Sequence, residues 1–182
     1  MNAQSVLSID EPMKSGAVFS HDAKYRYKLW RIWNTKKPKC SFIMLNPSKA
    51  DAFTLDPTVR RCVDYAKQWG YGSLTVGNIF ALKSTDPKEL YRSDDPVGAG
   101  NDQALLEIVK DSDIAITAWG NHGTYLGRGN AVLNALLPLF SEKMAYLGLS
   151  EKGEPLHPLY LLKGAVPIKY QVRRTGEGGF KW

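Results

Sequence analysis

Four short apolar runs, FIMLNPS (42–48), LTVGN (74–78), IAITAWG (114–120) and MAYLG (144–148), each end in a polar or glycine-containing motif, and the last leads into HPLYL (157–161). Short apolar strands separated by helical patterns build an open parallel α/β sheet. The ligand crevice of such a sheet lies outside the carboxyl ends of its strands. Asn46, Asn78, Trp119 and the loop carrying His157 are therefore expected to converge on one site.

The segments between the runs support this reading. Asp56 is placed as an N-cap with Pro57 at the first helical position, Val59, Cys62, Val63 and Ala66 follow at helical spacing, and Gly70 ends the helix. Residues 41–78 thus read as strand, loop, helix, strand. A second unit starts a helix at Asp86 and Pro87, continues through a helix near 100–111 and reaches the strand 113–118. A third passes through a helix near 126–140, with Val132, Leu133, Leu136, Leu137 and Phe140 on one face, to the strand 143–147. Right-handed crossovers make this a parallel sheet covered on both faces.

Ahead of it, AVFS (17–20) and KYRYKLWRIW (24–33) read as a hairpin that extends or flanks the sheet, with His21 at the turn. Alternation puts Tyr25, Tyr27 and Leu29 on one face and Lys24, Arg26 and Lys28 on the other. Residues 1–14 read as a loose arm. The segment 169–182, where Lys169, Arg173, Arg174 and Lys181 face Glu177 alone, reads as a mobile basic tail. The whole chain, 1–182, is expected to be one domain.

With 43% apolar residues the chain can bury an ordinary core. Cys40 and Cys62 cannot make a four-thiolate cluster, and free structural thiols suit the cytoplasm. No signal-like segment and no run of roughly 18 apolar residues is present, so no membrane association is expected. The net charge of +6 is uneven, since eight lysines and arginines and no acid lie between Ala23 and Ala50. That bias suits a polyanionic partner such as nucleic acid, or else lysines blocking an exposed strand edge.

Each motif carries a chemical possibility beside a structural one. Asn46 can hold a water or a ligand edge, or satisfy its own loop. Asp51 and Asp56 share the crevice-side loop, where either can act as a base or hold a metal; capping already accounts for Asp56, so Asp51 is the more open candidate. Arg60 and Arg61 can meet a phosphate at the helix N-terminus or form a solvated face. Asn78 offers the paired donor and acceptor that read a nucleobase edge, or serves as a turn residue.

Trp119 and His122 belong to a glycine-rich loop that leads to Arg128, which can approach phosphate closely or cap the core. His157, locked before a proline, can donate to a developing anion. Leu159 and Tyr160 can wedge into or stack on bases, although Leu159, Leu161 and Leu162 read more simply as core. No phosphate-loop, dinucleotide-binding, zinc-protease or nucleophile-elbow signature occurs, and no metal or cofactor is expected.

The ordered set YRYKLWRIWN, FIMLNPSKAD, DPTVRRC, GYGSLTVGNIFALKSTDP, NDQAL, AWGNHG and HPLYL resembles a family of small bacterial and phage proteins known as a domain of unknown function, numbered 1643, over about residues 16–165. More distantly, LNPS, VGN, AWG and HPLYL resemble motifs of the uracil-DNA glycosylase superfamily, in its mismatch-specific branch. That resemblance implies a three-layer αβα sandwich with a central four-stranded, mostly parallel sheet. It also implies that Asn46 positions water, Asn78 reads the base and His157 stabilises the departing base anion, with Leu159 and Tyr160 as the minor-groove wedge.

Phe53 and Trp119 are then candidates to contact the base, and Ser48, Arg60, Arg61 and Arg128 to contact phosphate. The expected partner is nucleic acid or a nucleotide, with hydrolysis of an N-glycosidic bond as the candidate activity. The alternative is a binding module that senses a nucleotide in the same crevice without catalysis.

Overall fold

A computed structural model describes residues 13–48, 56–174 and 180–181. One seven-stranded sheet organises these residues, with the strands in the order β1-β2-β4-β3-β5-β6-β7. Its strands are β1 Lys14–Phe19, β2 Arg26–Ile32, β3 Lys39–Met44, β4 Ser73–Asn78, β5 Ile114–Thr117, β6 Met144–Tyr146 and β7 Ile168–Lys169. The helices are α1 Pro57–Gln68, α2 Asn101–Asp111 and α3 Arg128–Phe140.

The expected four-stranded sheet is therefore corrected to a mixed sheet of seven. Its middle strands β4, β3, β5 and β6 pair in parallel, while β2 joins β4 and β7 joins β6 antiparallel. The hairpin is part of the sheet, with Leu29 opposite Val76, so β2 is interior and β1 forms the edge. Lys28 of β2 accordingly does not guard an edge. Residues 168–172 are also ordered on the sheet rather than loose, because Tyr170 and Val172 pack against the core and the Tyr170 hydroxyl lies 2.7 Å from Thr117 Oγ1. A two-residue strand leaves no periodic pattern, which is why it is invisible in the sequence. Arg173–Arg174 and Phe180–Lys181 pair as a separate ribbon, β8 and β9.

Helices cover both faces, so β3 is buried on both. Cys40, Phe42 and Met44 meet Val59, Cys62 and Ala66 of α1, and both cysteines are free thiols. Ile43 and Leu45 share the opposite cluster with Leu105 and Val109 of α2 and Val132, Leu133 and Leu136 of α3. Fully burying each such side chain contributes about 1.5–3 kcal/mol. α1 starts as the sequence predicts, since Asp56 Oδ1 accepts the Val59 amide at 2.8 Å with Pro57 in the first turn. At Asp86 and Pro87 the chain forms a short 3₁₀ turn, capped by Asp86, rather than a full helix.

α1 also anchors the segment that follows HPLYL. Arg61 Nη2 donates to the Leu161 carbonyl at 3.2 Å, the Tyr65 hydroxyl to that of Leu162 at 2.7 Å and Trp69 Nε1 to that of Ala165 at 3.1 Å. Of the three leucines read as core, Leu161 packs against it, but Leu159 and Leu162 are exposed. Their carbonyls and amides hold this segment in place while those two side chains point to water. No helix among the described residues is long and apolar enough to cross a membrane.

Candidate functional site

β3 feeds α1 and β4 on one side of the sheet, whereas β5 feeds α3 and β6 on the other. The chain thus reverses direction between β3 and β5, where an open α/β sheet forms its crevice. A cavity of about 450 Å³ lies there, within the range of small-molecule sites. Leu45, Asn46 and Ser48 line it from the end of β3, Asn78 from the end of β4, Trp119 and Gly120 from beyond β5, and His157 and Tyr160 from the last loop. Asp51 and Phe53 fall outside the described residues.

The amide of Asn46 has a fixed orientation. Its Nδ2 donates to the carbonyls of Ser84 at 2.9 Å and Pro47 at 3.3 Å, which leaves Oδ1 without a partner among the described residues. Asn78 is 3% exposed, yet its side chain makes no hydrogen bond with another described residue. Its backbone is held firmly, because Asn101 Nδ2 donates to the Asn78 and Ile79 carbonyls at 2.9 and 3.1 Å. Gly77 beside it makes room for α2, since a Cβ there would stand 2.8 Å from both Leu105 and Ile108.

His157 reaches the cavity through a closed excursion of the chain. The Leu156 amide donates to the Gly148 carbonyl at 2.9 Å and the Gly120 amide to the Pro155 carbonyl at 2.7 Å, which ties the loop to the end of β5. Gly120 adopts φ 71° and ψ −173°, a conformation essentially confined to glycine. The Leu159 amide points at His157 Nδ1 from 3.4 Å, so Nδ1 is the acceptor and the ring proton sits on Nε2. Burial pushes the imidazole pKa down, opposed by the Asp56 carboxylate. A neutral ring with an Nε2–H donor results.

Trp119 lines the cavity but is mainly a packed element. It is 1% exposed, and its Nε1 donates to Glu154 Oε2 at 2.6 Å. Added Cβ atoms on Gly123 and Gly129 would stand 2.0 and 2.9 Å from its ring. These glycines make room for an indole, and phosphate approach is not needed to explain them. His122 is an exposed residue on the rim, with Nδ1 2.6 Å from the Tyr91 hydroxyl.

The predicted arginines do not join the cavity. Arg60 is exposed on α1, and Arg61 is committed to the Leu161 carbonyl and lies over the Tyr65 ring. Arg128 is buried, with Nε donating to the Ile79 carbonyl at 2.8 Å and Nη2 paired with Asp102. Its contacts tie α3 to α2 and the end of β4, and it does not line the cavity. Leu159 is exposed but does not line the cavity, whereas Tyr160 lines it and is 83% exposed.

One charged cavity residue was not weighed as a site residue from the sequence. Arg26, expected on the hairpin face shared with Lys24 and Lys28, is 4% exposed and lines the cavity. It opens β2, and the antiparallel pairing with β4 carries that first residue to the carboxyl end of the parallel strands. Burial pushes its guanidinium pKa down, Asp56 acts in the opposite sense, and Arg31 adds to the downward shift. Asp56, weighed from the sequence as a crevice-side carboxylate, both caps α1 and accepts from Ser48 Oγ at 2.9 Å, and it stands on the cavity wall.

The family described as "Protein of unknown function (DUF1643)" matches residues 26–159, and the chain belongs to it. No curated protein and no solved structure matches the chain. Among the described residues no group of three or more His, Cys, Asp or Glu side chains is arranged to hold a metal ion.

Proposed function

We propose that the cavity binds a nucleobase, presented as a nucleotide within nucleic acid in the cytoplasm, and that the chain hydrolyses its N-glycosidic bond. The observation that carries this reading is Asn78, a buried amide with no hydrogen-bond partner among the described residues, held rigidly at the cavity wall. Asn78 lines the cavity, and a base edge offers the donor and acceptor that match its amide. The fold belongs to the same proposal: helices on both sides of four parallel strands would be the three-layer glycosylase-like arrangement that the motifs suggest.

In this scheme Asn46 Oδ1 accepts a hydrogen bond from the attacking water and orients its oxygen toward C1′. The C1′–N bond breaks with its electron pair passing to the base, and the water oxygen bonds to C1′. Asp56, a carboxylate on the same wall, takes the water proton. His157 Nε2–H donates to the anion forming on the base, a task for which a neutral imidazole suffices. Tyr160, with Leu159 beside it, stands out at the mouth of the cavity where an unstacked strand would pass.

Single-turnover base release tests this, using single- and double-stranded DNA and RNA that carry uracil, mismatches or modified bases. Release that disappears in Asn46→Ala and His157→Ala while binding persists supports the scheme. Salt-sensitive binding without release from any substrate makes the chain a nucleotide-sensing module instead. Neither binding nor release removes the nucleic-acid reading.

A further inference from the structure

Two of the three arginines buried among the described residues, Arg128 and Arg26, are treated very differently by their surroundings. Arg128 is fully engaged, with a carbonyl on Nε and a carboxylate on Nη2. Arg26 is at least as buried and lines the cavity, but its guanidinium makes no hydrogen bond or ion pair with another described residue, and its Nε is enclosed without a partner. Asp56 acts on it only through space, its oxygens accepting from the Val59 amide and Ser48 Oγ. A guanidinium cannot shed its proton to escape this position. A buried cation that no carboxylate among the described residues pairs with directly opposes folding unless something else supplies the anion.

We propose that Arg26 is the oxyanion subsite of this cavity and that the ligand is bound as a phosphorylated species whose phosphate lies on the Arg26 guanidinium. A neutral base edge could accept hydrogen bonds from the fork but would leave its charge uncompensated, whereas a phosphate does both in one bidentate contact. This rests on the nucleobase reading of the same cavity and adds to it that nucleotides are favoured over nucleosides and free bases. Arg26 is then a binding group whose cost to the empty protein is offset when ligand arrives.

Thermal unfolding of the full chain tests this, with wild type and Arg26→Met each measured alone and with inorganic phosphate, uridine, guanosine and their 5′-monophosphates. Wild type should gain roughly 3–6 °C in Tm from a monophosphate at about ten times its Kd, and much less from the nucleoside. Without ligand Arg26→Met should melt at or above the wild-type temperature, because an apolar side chain replaces a charge that no described carboxylate pairs with directly, and it should not respond to phosphate or monophosphates.

A lower Tm for unliganded Arg26→Met, or an unchanged response to phosphate, would overturn the proposal and make Arg26 a structural cation. If that variant fails to fold, Arg26→Lys keeps the charge without the fork and should bind monophosphates at least about tenfold more weakly; equal binding would overturn the proposal. Phosphate protection that depends on Arg26 but is no greater with monophosphates supports the subsite and refutes the base reading. Equal protection of wild type and Arg26→Met by the monophosphates refutes the subsite and leaves the base reading standing.

Discussion

The side-chain Nδ2 of Asn46 donates to the carbonyl of Ser84 at 2.9 Å, and this contact decides which end of the amide the cavity receives. With Nδ2 engaged, Oδ1, which has no partner among the described residues, is the atom left to hold a water. In Asn46→Ala that acceptor is lost, and single-turnover base release should fall by about 10²-fold or more, the range for a positioned group in proton transfer, with affinity nearly unchanged. Parallel losses of rate and affinity would show that Asn46 supports the loop rather than the water.

Asn78 and Asn101 are adjacent in space and should behave in opposite ways. Asn101 is fully buried and donates to two carbonyls, so Asn101→Ala should cost about 1–3 kcal/mol of stability in urea unfolding. The Asn78 side chain has no such bond, so Asn78→Ala should leave stability within about 1 kcal/mol of wild type while weakening nucleotide binding by roughly 10-fold or more. A destabilised Asn78→Ala with normal binding would make Asn78 a core residue.

His157 should give the protein an acid-sensitive limb. Burial holds its pKa below the ordinary value of 6.5, so between the folded value and 6.5 the unfolded chain binds a proton that the folded chain does not. Stability contributed by the neutral ring is complete above 6.5 and declines as the pH falls through that window. Urea midpoints measured against pH should show this slope in wild type and a flatter curve in His157→Gln. An identical slope in both would place the effect elsewhere.

The glycines around Trp119 separate crowding from backbone strain. A Cβ on Gly123 would stand 2.0 Å from the indole, whereas one on Gly127 meets nothing within 4 Å and suffers only from its φ of +63°. Gly127→Ala should cost about 1 kcal/mol. Gly123→Ala should cost more, about 1–3 kcal/mol, and should disturb Trp119 fluorescence as the ring shifts. Equal costs would mean that the indole moves freely.

Much of this arrangement is legible in the chain. Apolar runs ending at Asn46, Asn78 and Trp119, with the Asp56–Pro57 cap between the first two, place three parallel strand ends and one helix start. What sequence does not show is which strand the hairpin joins. β2 lies against β4 through backbone pairing that side-chain alternation does not encode, and Arg26, which alternation groups with Lys24 and Lys28, is a cavity residue. Arg128 is the converse case, since a basic residue beside glycines suggests phosphate while its partners, the Ile79 carbonyl and Asp102, are remote in sequence. Leu162, 85% exposed, shows that an apolar residue can be held in water when backbone bonds to α1 fix its segment.

The central claim is that Asn78 presents its amide to a bound base beside the water that Asn46 holds. The most direct measurement is the side-chain NH₂ resonances of Asn46, Asn78 and Asn101 in nitrogen–proton correlation spectra, during titration with uridine and guanosine 5′-monophosphates. Saturable shifts of the Asn78 pair, with a smaller shift at Asn46 and none at Asn101, are the predicted result. Binding that leaves Asn46 and Asn78 unmoved while perturbing residues elsewhere would contradict it.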